Sequence, residues 1–192
     1  MKSSLVLLIF TLVGYLPLAA QDELCADVTS TPLNSIRLLE EQKDTRQSPC
    51  ISEIINQLGK SREIRAVNVL VGYLDFVDPA TRPKPNGFSD RRPVYPAVDA
   101  LFQIGKVAAG ALLEVIAGGK SPIRRHNATA AYQAIFRDDL AAGIRLVRNE
   151  ASESPSPEAR RRLREMMETL ADDCRGRSEE EARACNAAAQ GD

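Results

Sequence analysis

The stretch Ala97-Val98-Asp99-Ala100-Leu101-Phe102-Gln103-Ile104-Gly105, followed after one lysine by Val107-Ala108-Ala109-Gly110-Ala111-Leu112-Leu113-Glu114-Val115-Ile116, decides the fold. Val98, Leu101 and Ile104 recur at helical spacing behind Pro96. A proline is tolerated there because the first N–H groups of a helix have no partner within it. Val107, Ala108, Ala111, Leu112 and Val115 make a second stripe of the same period, closed by Gly118-Gly119. Two consecutive helices with one apolar face each must bury those faces against one another or against further helices.

The pattern continues in both directions. Ile51, Ile54, Ile55 and Leu58 form one stripe, and Ile64, Val67, Leu70, Val71 and Leu74 another, with Gly59 between them as a stop signal. Downstream, Ser121-Pro122 restarts the chain with serine as a cap, and a helix with Ile123, Ala130, Ala131 and Ala134 runs to about Phe136. Leu140, Ile144 and Val147 mark the next, where Asp138-Asp139 suit a helix start by charge–dipole attraction. Ser156-Pro157-Glu158 opens another, with Leu163, Met166, Met167 and Leu170 as its stripe, and a short last helix spans about Ser178 to Ala189. No alternating strand pattern occurs. With no tryptophan, few aromatics and abundant Ala, Leu, Glu and Arg, the expectation is an all-α fold.

The helices are self-similar. Ile64-Arg65-Ala66-Val67-Asn68 resembles Ile123-Arg124-Arg125-His126-Asn127, and aligning Asn68, Ala97 and Asn127 gives steps of 29 and 30 residues. A period near 30 in helical sequence marks stacked helix pairs. The pattern V/I-R-x-x-A-A-x-A-L-x-x-I-G, followed by a small-residue helix with spaced leucines, resembles the short HEAT-like repeats. Ala97 to Gly105 with Val107 to Ile116 carries the likeness best, and Ile123 to Ile135 follows. One segment departs from it: Val77-Asp78-Pro79-Ala80-Thr81-Arg82-Pro83-Lys84-Pro85-Asn86-Gly87-Phe88-Ser89-Asp90-Arg91-Arg92-Pro93, where four prolines and a glycine forbid a regular helix. The resemblance implies a protein-binding scaffold with no inherent chemistry. The fold is then a short HEAT-like α-solenoid or an irregular bundle of antiparallel helix pairs. In the first form, stacked pairs leave a continuous outer surface suited to recognition.

The N-terminus has the layout of a secretory signal: Lys2, an apolar run from Leu5 to Val13, and Leu18-Ala19-Ala20 before Gln21. The run is too short to span a bilayer comfortably, which takes about 20 residues. Cleavage after Ala20 is expected. The domain plan is then residues 1–20 as signal peptide and 21–49 as an N-terminal helical cap segment. Residues 50–173 form the repeats with a Pro-rich insertion at 77–93, and 174–192 a C-terminal cap helix and tail. Loss of Lys2 leaves 24 basic against 26 acidic residues. So even a balance argues against a nucleic-acid partner.

Four cysteines remain: Cys25, Cys50, Cys174 and Cys185. An even count in an exported chain suggests two disulfides. Three pairings exist. Cys25–Cys50 with Cys174–Cys185 closes the shortest loops at least entropic cost, and the others staple the two ends of the chain together. With no C-x-x-C spacing and a single histidine, a structural zinc site is not expected.

No G-x-S-x-G, phosphate-binding glycine loop or H-E-x-x-H is present. We therefore expect no catalytic residue, no cofactor and no metal. His126, beside Arg124 and Arg125, reads as a surface helix residue. Asn68 and Asn127 sit at equivalent repeat positions and are expected to satisfy loop backbone. Asn127-Ala128-Thr129 also matches a glycosylation sequon inside an expected helix. Arg160, Arg161, Arg162 and Arg164 lie within helical reach of Glu158, Glu165 and Glu168, the mark of a salt-bridged face. Met166 and Met167 read as core. The Pro-rich insertion is the one candidate binding segment, since long loops in compact domains are often functional. Within it, Phe88 flanked by Asp90, Arg91 and Arg92 is the candidate contact with a protein partner. The expected function is an exported protein-binding or scaffold module without catalysis. The alternative is a self-contained secreted helical bundle with a structural or small-ligand-binding role.

Overall fold

A computed structural model of the protein describes residues 25, 31–46, 50–79 and 94–191. Among these residues the secondary structure is entirely helical, with nine α-helices: α1 Pro32–Glu41, α2 Ile51–Lys60, α3 Val67–Leu70, α4 Pro96–Ile104, α5 Ala109–Gly118, α6 Pro122–Ile135, α7 Leu140–Glu153, α8 Pro157–Cys174 and α9 Glu179–Gln190. Single 3₁₀ turns at Ile64–Ala66, Val71–Tyr73 and Lys106–Ala108 extend α3 at both ends and lead into α5.

The helix starts follow from local chemistry. Thr31-Pro32, Ser121-Pro122 and Ser156-Pro157 each place a hydroxyl at the cap and a proline in the first turn; the hydroxyls accept from Asn34, Arg124 and Ala159 N–H at 3.3 Å. Asp139 caps α7 by accepting from the Ala142 N–H. Ser178 and Glu181 form a reciprocal capping box on α9.

Gly59 is not the stop that the sequence suggests. It lies buried inside α2, and a Cβ there would meet the Ala100 Cα at 2.6 Å and its Cβ at 2.8 Å. Glycine at 59 lets the backbones of α2 and α4 touch. The helix ends one residue on, at Lys60; beyond it Glu63 N–H bonds the Leu58 carbonyl and Arg62 takes the left-handed φ of 52° that glycine usually supplies. The pair α4–α5 follows the same path. Gly105, with φ 87°, closes α4, and a 3₁₀ turn leads into α5.

α2 packs on α4, α4 on α6, and α5 on α6. Beyond α6 the order changes: α5 packs directly on α8, α7 pairs with α8, and α9 covers both. One apolar cluster runs through all of this from Cys25 to Ala188, with Tyr73, Tyr132 and Phe136 fully buried in it. The expected stripes hold in their interiors, with Ile51, Ile54, Ile55, Leu101, Ile104, Ile144, Val147, Leu163, Met166 and Leu170 all buried. Three positions assigned to stripes are exposed instead: Ile64, Val107 and Ile123. Each sits in the first turn of its element or in the 3₁₀ turn before it, outside the face that the following turns bury.

Two disulfides staple the chain locally, Cys25–Cys50 and Cys174–Cys185. Such bonds are compatible with an oxidising compartment. Residues 1–20, the expected signal segment, lie outside the described residues.

Candidate functional site

Polar side chains from distant parts of the chain converge where the Pro-rich segment leaves the helices. The Asp78 N–H bonds the Val94 carbonyl at 3.1 Å, so the two ends of the segment are tied together in a neck. Just before it stands Asp75, half-buried, with Arg46 Nη1 at 2.9 Å and Arg124 Nε at 3.0 Å from the same oxygen, Oδ1. These arginines come from the turn after α1 and from the first turn of α6. Arg46 also donates to the Gly72 carbonyl at 2.9 Å and lies over the Tyr73 ring, 5.3 Å from its centroid. Tyr73 in turn donates its phenol proton to the Leu39 carbonyl at 2.6 Å. One residue before Asp75, the Leu74 carbonyl accepts from Asn127 Nδ2 at 2.6 Å. Two distant parts of the chain, residues 39–46 and 124–127, thus hold residues 72–75 in place.

Burial pushes the Asp75 carboxyl up, and the arginines at 124 and 46 more than reverse this, so it stays below the usual carboxylate value. Asp75 Oδ1 and Arg124 Nε are buried and meet by charge without an aligned hydrogen bond. Asp139 is likewise held low, chiefly by the Lys106 ammonium at 2.7 Å. Burial raises the phenols of Tyr73 and Tyr132. These two donate to backbone carbonyls, Tyr132 to that of Gly143 at 2.8 Å. Both are packing groups.

Phe88, Asp90, Arg91 and Arg92 lie outside the described residues. Asn127 does what was expected of it, satisfying a backbone carbonyl between helices. It is fully buried, so its sequon is closed in the folded protein. Asn68 differs: it is exposed on α3, and the two asparagines occupy unlike environments. His126 is an exposed residue of α6. The arginine run on α8 is salt-bridged, with Arg161 on Glu158 and Glu165, and Arg162 on Glu158. Arg162 and Arg125 reach further, donating to carbonyls at the C-terminal end of α5, where cations are favoured. Asp172 lies near the C-terminal end of α8, where a negative charge is unfavourable, and pairs there with Arg175 at 2.5 Å. Met166 is buried and Met167 partly so.

Among the described residues no three His, Cys, Asp or Glu side chains group so as to hold a metal ion, and no single helix is long and apolar enough to cross a membrane. The Arg46–Asp75–Arg124 cluster has no sequence signal, because its members are far apart in the chain and ordinary in type. Comparison with family models, curated proteins and solved structures finds no match to this chain.

Proposed function

We propose that this protein is an exported helical module that binds another protein, and that the Pro-rich segment with the face it leaves from carries the contact. The observation behind this reading is the neck. A spacer needs no anchoring, whereas here the Asp78–Val94 bond and the Arg46–Asp75–Arg124 cluster brace both the exit and the approach of the segment. Binding loops characteristically stand on such rigid supports. The segment's own sequence, with Phe88 among Asp90, Arg91 and Arg92, has the aromatic-plus-arginine character of an interface. Export rests on the signal-like N-terminus and on the two disulfides. The HEAT-like reading draws support from the common path of α2–α3 and α4–α5. We assign the protein no catalysis, no cofactor and no nucleic-acid partner.

A second reading, a self-contained exported bundle with a structural or small-ligand role, is favoured by one observation. The direct packing of α5 on α8 departs from simple side-by-side stacking. The deciding experiment is cross-linking capture from the exported fraction of the source cells, with the oxidised protein as bait. The control bait has residues 78–93 replaced by a short Gly-Ser loop. Partners lost with the control support the module and locate its contact. A folded, oxidised bait that captures nothing specific removes the partner-binding reading and leaves the bundle.

A further inference from the structure

Where α6 and α8 would lie side by side they part, and α5 reaches α8 instead. A cleft of about 280 Å³ opens between them. Its α6 wall carries Arg125 and Thr129, four residues apart, and its α8 wall carries Arg162 and Glu165, three apart, so each pair shares one helix face. Buried Ile116 and Met166 contribute an apolar lining.

The two arginines are held in advance of any ligand. Arg125 Nη1 donates to the carbonyls of Gly119 at 2.8 Å and Lys120 at 3.0 Å. Arg162 Nη1 donates to those of Ala117 at 2.9 Å and Gly119 at 3.4 Å, and its Nε to Glu158 at 3.0 Å. Both guanidinium groups are thus drawn toward one carbonyl, that of Gly119, and so stand close together. Among the described residues nothing takes the Nη2 of either arginine, nor the hydroxyl of Thr129. Glu165, the acidic group in the lining, is engaged by Arg161 from outside the cleft. The cleft is left with a positive balance, spare donors that need no reorganisation, and an apolar side. Preorganised guanidinium edges of this kind favour oxyanions, and the volume lies just below the range for drug-sized ligands.

We propose that this cleft binds a small organic anion, a carboxylate carried on a compact aliphatic body, with Arg125, Arg162 and Thr129 holding the head and Ile116 and Met166 the body. The site is separate from the neck and does not depend on the protein-binding reading. The test is a calorimetric and NMR titration of the oxidised protein with isovalerate, with its neutral isostere isovaleramide, and with inorganic phosphate. The expected result is saturable isovalerate binding with amide shifts confined to Ile116, Arg125–Thr129 and Arg162–Thr169, and at least tenfold weaker binding of isovaleramide. Arg162→Gln is expected to weaken isovalerate binding at least tenfold. Because that change also removes donors from the end of α5, Thr129→Val is the companion variant; it leaves those bonds intact and is expected to weaken binding several-fold with an unchanged melting temperature. Equal binding of acid and amide, shifts mapping elsewhere, or no saturable binding would each overturn the proposal. Phosphate binding as tightly as isovalerate would overturn its aliphatic half.

Discussion

Gly59 and Gly110 are both helical glycines, and their surroundings give their substitution opposite signs. Alanine at 110 meets nothing within 4 Å and gains helix propensity, so Gly110→Ala should stabilise by about 0.5–1 kcal/mol. At 59 the same gain is outweighed. The new methyl would lie 2.6 Å from the Ala100 backbone and force α2 and α4 apart, which typically costs about 1–3 kcal/mol. Urea denaturation of the two variants reads the difference directly; equal effects would show that the α2–α4 contact is looser than described. Asp75 makes a prediction in pH. Its folded value is depressed, so its ion pairs contribute stability that is present above the ordinary value of 3.8 and is lost as pH falls through the folded value. The gap in thermal midpoint between the wild type and Asp75→Asn should therefore be widest near neutral pH and close in acid. Glu63, Asp139, Glu158 and Glu181 are also held low, but they titrate in both proteins and cancel in the comparison. A gap that stays constant down to about pH 2 would mean that Asp75 is not ionised by its arginines in the fold.

Among the elements, α9 is the most separable. It covers α7 and α8, is tied to α8 by Cys174–Cys185, and is held at its end by Arg148 donating to the Ala188 carbonyl at 2.8 Å. A disulfide spanning 11 residues contributes about 2–3 kcal/mol. In Cys174→Ser/Cys185→Ser, amide hydrogens of α9 should exchange at least tenfold faster while those of α2 and α4 barely change. Uniform acceleration would instead make α9 part of the global unfolding unit. The elements themselves were largely legible in the sequence, because caps such as Ser121, Ser156 and Ser178 and stripes such as Leu140, Ile144 and Val147 are local signals. Gly59 was misread because one residue type serves both helix ends and close helix contacts, and only the neighbour's identity distinguishes them. Ile64, Val107 and Ile123 were misread because a stripe does not show where its burying face begins. The neck and the α6–α8 cleft were not legible at all. They depend on which helices meet, which periodicity does not encode.

At the scale of the molecule, the packing of α5 on α8 sets the cooperativity. In a linear array each unit touches only its neighbours, so removing the last leaves the rest nearly intact. Here Arg162 on α8 donates to carbonyls at the end of α5, and Met166 is buried in the common core. Truncation after Ser156 should therefore cost far more than α8 and α9. The shortened protein is expected to lose its single sharp denaturant transition, with a reduced m-value, whereas an undisturbed transition over residues 31–153 would indicate independent units. The order of the cysteines has a consequence for biogenesis. Each pairs with the next one along the chain, Cys25 with Cys50 and Cys174 with Cys185. A chain threaded N-terminus first through a membrane pore, as proposed export requires, presents its thiols in that same sequence. An oxidase joining each thiol to the next one to emerge would reach the native connectivity in two events, and the protein should mature at the normal rate in cells lacking a disulfide isomerase.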